Sequence, residues 1–230
     1  MTSTLIRNFS ISTGYLSLLC GIGAAALERP WPSTPQDIPA FLVADRTAVL
    51  WQALLFLLGG AFFMWFLGSL RTFMIRGEPH RGQVTMVAFT AGMVGYGMTM
   101  LALCPQLALT LPDRGWIDAT TAAMTVDLGY VMLTVANLPI AVMYAAVAVV
   151  SLRERVFPPW LGWLSAAAAG CCAVLTLSLI DPTGPVAPQG WLSYLLYVVP
   201  VVWLATTPTV MLLQERWRAT RPGIRITVTG

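Results

Sequence analysis

Six long apolar stretches dominate this chain, at about 9–27, 47–70, 83–111, 119–152, 160–180 and 191–213. A helix rises 1.5 Å per residue, so about 20 apolar residues cross a hydrocarbon core about 30 Å thick. Inside such a core a segment must satisfy its own backbone polar groups, which leaves the α-helix as the form available to it. The expectation is an all-α, polytopic membrane bundle of six transmembrane helices, a single membrane domain over residues 1–230. Composition agrees, because charged residues make up only 10% of the chain, against roughly a quarter in a soluble domain. Ala24-Ala25-Ala26 ahead of Glu28 resembles a signal-peptidase site, but the first stretch is read as a retained span.

Orientation follows from the basic residues. All thirteen are arginine, and the absence of lysine removes Schiff-base chemistry, retinal binding included. Arg7, Arg71, Arg76, Arg81, Arg153, Arg155, Arg216, Arg218, Arg221 and Arg225 fall on one side of the bundle, and Arg29, Arg46 and Arg114 on the other. That asymmetry predicts both termini in the cytoplasm of a bacterial plasma membrane. It also accounts for the net charge of +3 without a nucleic-acid partner. The tryptophans fit interface anchoring, with Trp31, Trp51, Trp116 and Trp191 at the outer level and Trp65, Trp160, Trp163 and Trp217 at the inner.

Acids gather on the outer side: Glu28, Asp37, Asp45, Asp113, Asp118, Asp127 and Asp181. The loop 28–46, with Pro30, Pro32, Pro35 and Pro39, is too rich in proline to predict a regular helix. Its apolar run Ala40-Phe41-Leu42-Val43 suits the membrane surface or a cavity mouth. The fourth segment, 119–152, would be about 51 Å long if wholly helical, so its first turns are expected outside the core.

That segment carries the chemistry of most interest. Asp127, Tyr130, Thr134, Asn137, Ala141 and Tyr144 are spaced to share one helical face. Such a polar stripe is costly against lipid and is expected to face the bundle interior. Asn137 precedes Pro139 by two residues, and the carbonyl of residue 135, freed by that proline, could meet the Asn137 amide. Tyr96 and Thr99 lie on a matching face of the third segment, and Trp191, Tyr194 and Tyr197 stand near the outer mouth. Asp127, with Glu28 at the same level, is the candidate acid. Arg114, Arg29 or Arg46 reaching Asp127 from the loops is the alternative. The expected site is a cavity opening toward the outer leaflet, lined by Asp127, Tyr130, Thr134, Asn137, Tyr96 and Thr99 and roofed by Trp31 and Phe41.

Other chemistries lack their residues. Cys20, Cys104, Cys171 and Cys172 all lie in apolar segments without CxxC spacing, and His80 is the sole histidine. No metal or cofactor is expected. Phosphate-loop, dinucleotide, nucleophile-elbow and zinc-hydrolase motifs are absent. So are the paired aspartate-rich motifs that hold magnesium diphosphate.

The stretch from Leu152 to Trp163, LRERVFPPWLGW, resembles a recurring feature of a group of actinobacterial multi-pass proteins. In that group an arginine-containing turn leads into a Pro-x-Trp-Leu-Gly-Trp helix start. The resemblance implies a six-helix layout and no activity. In size, layout, boundary acids and aromatic content the chain is also similar to small membrane-bound terpene cyclases. That likeness implies a cofactor-free enzyme that protonates an isoprenoid-like lipophile. Asp127 and Glu28 would be the acids, and Tyr96, Thr99, Tyr130, Thr134, Asn137, Trp191, Tyr194 and Tyr197 would hold the substrate. The alternative is a non-catalytic binding or transport protein for a hydrophobic small molecule.

Overall fold

The computed structural model describes residues 2–29, 31–32, 34–78, 82–111 and 118–220, and the side chains of 5–217 among them. Every regular element in these residues is helical. Helix α1 covers Thr2–Ala26, a 3-10 turn Pro35–Asp37, α2 Ile38–Ala44, α3 Arg46–Ile75, α4 Gln83–Leu101 and α5 Cys104–Leu109. Then come α6 at Ala119–Arg153, α7 at Pro159–Thr176 with a 3-10 turn Leu177–Leu179, and α8 at Trp191–Thr220. Six helical spans are long and apolar enough to cross a membrane, with α4 and α5 together forming one of them.

The boundaries differ from expectation where hydropathy and helicity part company. Helix α1 starts at Thr2 rather than residue 9, and α8 runs to Thr220 rather than 213. Polar turns can extend a helix beyond the hydrocarbon. The third span breaks at Ala102–Leu103 and restarts with Pro105 in the first turn of α5, where its missing N–H costs no hydrogen bond. The same physics overturns the expectation for the proline-rich loop. Pro39 sits in the first turn of α2, so Ile38–Ala44 is a regular helix after all.

Helix α6 is the axis of the bundle. It packs against both α4 and α7, while α1 pairs with α3, and α8 lies against α1 and α7. Gly95 lets α4 and α6 touch: a Cβ there would lie 2.5 Å from Cγ1 of Ile140 and 3.1 Å from its backbone N. In lipid, where apolar contact alone does not drive association, such close approach supplies the packing. The core is aromatic. Trp203 is fully buried, meets Tyr144 edge-on at 4.9 Å and donates from Nε1 to Ser165 Oγ at 2.7 Å.

The turn after α6 holds α3 in place. Arg155 takes a left-handed backbone (φ 52°), which directs buried Val156 and Phe157 under the end of α3. There Phe157 stacks on Phe73 at 5.1 Å. At the far end of the bundle α2 lies on α5 and α6, with Ile38, Leu109, Ala122 and Val126 buried together and Trp31, Leu42 and Tyr130 packed around them. The loop does cover that end.

Candidate functional site

The polar stripe of α6 faces inward for most of its length. Thr134, Asn137, Ala141 and Tyr144 are buried, Tyr130 is half-buried, and Asp127 is exposed. The buried members satisfy one another or their helix. Thr134 Oγ1 and Ser178 Oγ lie 3.2 Å apart. Asn137 Nδ2 donates to Tyr197 OH and to the Leu133 carbonyl, each at 3.3 Å. The Asn137 amide thus serves Leu133 and not the carbonyl of residue 135. Thr99 Oγ1 donates to its own helix at Gly95 O, 3.0 Å away. Tyr96 stacks on Phe63 with centroids 3.6 Å apart and lies beside Tyr144, Cys172 and Tyr197.

At the N-terminal end of α6 Gln189 Nε2 donates to Tyr130 OH at 2.5 Å, and Tyr194 OH donates to Glu28 Oε1 at 3.5 Å. Glu28, Tyr194 and Asp127 all lie within electrostatic reach of Tyr130. Trp191 is exposed and stands apart from this cluster's hydrogen bonds. The loop arginines are engaged elsewhere: Arg29 Nε sits 3.8 Å from Asp45 Oδ1, and Arg46 Nε donates to Thr110 O at 2.8 Å. Arg114 lies outside the described residues, as do Trp116 and His80. The structure therefore gathers Tyr130, Thr134, Asn137 and Tyr197 along α6 and Glu28 with Tyr194 at its N-terminal end. Asp127 points away from the packed interior.

A cavity of about 580 Å³ lies at the opposite end, where α1, α3, α4 and α8 diverge. Its walls are mainly apolar, with Ile6, Ile11, Met64, Trp65, Phe73, Phe89, Met93 and Met211, and the hydroxyls of Ser10, Ser69 and Thr72 among them. Gly68 leaves one wall open, since a Cβ there would meet nothing within 4 Å. From Met64 to Arg76 the groove follows about 18 Å of α3 at 1.5 Å per residue. Trp65 and Ile6, 58% and 63% exposed, stand at its edge, so it communicates with the surface that lipid would cover.

The groove ends in an ion triad. Glu215 on α8 is 6% exposed; Arg76 Nη1 donates to its Oε1 at 2.5 Å, and Arg7 Nη1 lies 3.2 Å from its Oε2. One carboxylate thereby joins α1, α3 and α8, and brings the ends of α1 and α8 together. Arg71, which is not among the lining residues, has its guanidinium 5.7 Å from the ring centroid of Phe89, which is. The Nε atoms of Arg7 and Arg71 are buried without a hydrogen-bond partner.

The sequence alone does not point here, because Arg7 and Arg76 enter it only as markers of orientation. One signal is present on α8. Trp203, Thr207, Met211 and Glu215 recur every four residues and are all buried, so the inward face of α8 continues through the acid. No family model, no curated protein and no solved structure matches the chain, so this geometry stands on its own residues.

Proposed function

We propose that the chain binds or carries a hydrophobic, isoprenoid-like small molecule in a bacterial plasma membrane, with both termini in the cytoplasm. One observation carries this reading: the groove of about 580 Å³ between α1, α3, α4 and α8, mainly apolar along its length and charged at one end. Its volume is on the scale of small-molecule sites, roughly 300–1,000 Å³. The arginine asymmetry supports placing the charged end at the cytoplasmic leaflet, where isoprenoids are made.

Trp65 on the groove edge provides the test. A brominated long-chain alcohol added to the purified full chain in neutral detergent should quench part of its tryptophan fluorescence saturably. Gly68→Leu, which places a side chain in open space, should abolish that component, and Trp65→Phe should remove its signal. Quenching that rises without saturation, or persists in both variants, rejects the reading.

A second reading is acid catalysis on such a molecule at the outer end. The gathering of Glu28, Tyr194 and Tyr130 near Asp127 favours it. Turnover of an isoprenoid alkene or epoxide should fall about a hundredfold or more in Asp127→Asn or Glu28→Gln. Unchanged turnover in both variants removes these residues as the acids.

A further inference from the structure

We infer that the groove takes a single-chain lipid headed by a phosphate monoester, drawn from the leaflet at the Arg7–Arg76 end; this rests on the binding reading above. Charge is the first argument. Arg7 and Arg76 at the groove end bring two positive charges and Glu215 one negative, which leaves an excess of one. A half-buried excess of that size calls for a counter-anion, because low-dielectric surroundings strengthen every unbalanced charge. A phosphate monoester carries about −1.5 to −2 near pH 7, enough to neutralise it.

Donor geometry is the second. A guanidinium has five N–H donors in a planar fork. Arg7 and Arg76 each spend one Nη on Glu215, and the Nε of Arg7 is buried with no acceptor. The protein already supplies a bridging carboxylate at this point, so a carboxylate-headed ligand would repeat a role that Glu215 fills. Three phosphate oxygens can bridge forks that Glu215 leaves partly open.

The tail follows from the walls. Beyond the Arg7–Glu215–Arg76 triad the groove continues between Phe73, Phe89, Met93 and Met64. Unbranched thioether side chains adapt to an irregular chain. The opening beside Trp65 and Ile6 lets a tail enter sideways from the bilayer while its head stays at the interface.

The experiment uses the fluorescence assay with competitors. Farnesyl phosphate should displace the brominated alcohol from the full chain at a concentration at least tenfold below that of farnesol. Inorganic phosphate alone should displace nothing. Arg7→Gln should bring the farnesol to farnesyl phosphate ratio toward one, and Glu215→Gln, which frees two guanidinium donors, should widen it. Equal potency of the two competitors overturns the headgroup inference while leaving the lipophile reading standing, whereas absent quenching by the alcohol defeats that reading itself. Displacement by inorganic phosphate alone, or a ratio that neither variant moves, also overturns the inference. In Arg7→Gln the closer partner Arg76 stays on the buried Glu215 carboxylate, so that replacement leaves the fold testable.

Discussion

A single side chain starts the central helix. Asp118 caps α6 by accepting from Thr121 N at 3.0 Å and from Thr121 Oγ1 at 2.6 Å. Those hydrogen bonds to Thr121 hold its carboxyl below the usual carboxylate range. The sign of the linkage is fixed by that depression: the cap's contribution is present above the unfolded-state value of Asp118 and is lost as pH falls through the folded one. The protection of first-turn amides of α6, taken relative to their intrinsic exchange rate at each pH, should therefore fall on acidification through that interval. Asp118→Ala should show low protection at neutral pH, with little further acid effect. The inward direction of Thr134 and Asn137 was legible in their spacing. The outward turn of Asp127 was not, because helical phase cannot tell the last turn facing the core from the first one clear of it.

Among elements, the α4–α6 contact sets the spacing of the bundle. Gly95→Ala places a Cβ against the backbone N of Ile140 as well as its side chain, and a backbone atom cannot rotate away. Overpacking of this kind costs about 1–3 kcal/mol. The variant should lower the midpoint of thermal unfolding in detergent, while Gly68→Ala, which meets nothing, leaves it near wild type. Apolar length and glycine content made the six spans legible in the sequence. Helix ends were less so, because hydropathy reports where lipid begins and hydrogen bonding continues past it. Helix α2 was hidden for a related reason: proline content opposes a helix only where an N–H is needed, and Pro39 stands where it is not.

At the scale of the whole molecule the groove belongs to no single helix. Its lining comes from α1, α3, α4 and α8, whose sequence positions run from Ile6 to Glu215. Each contributes side chains that look ordinary within their own segment. Met64 and Phe89 read as lipid-facing or core residues, and Arg7 and Arg76 as topology signals. Only packing shows that these surfaces diverge around Gly68 and close again at Glu215. The polar stripe of α6, by contrast, is a one-helix pattern and was visible from spacing alone. Its polar groups pair with Ser178 and Tyr197 on neighbouring helices.

The three thioethers of the groove, Met64, Met93 and Met211, also make its polarity chemically variable. Oxidation to the sulfoxide turns a soft apolar wall into one bearing strong dipoles, and reductases reverse the change. Peroxide stress at the membrane would then act on this protein by wetting the groove, with no bond in its backbone or ion triad altered. On the binding reading proposed above, affinity for a lipophile would then follow the redox history of the bilayer around it.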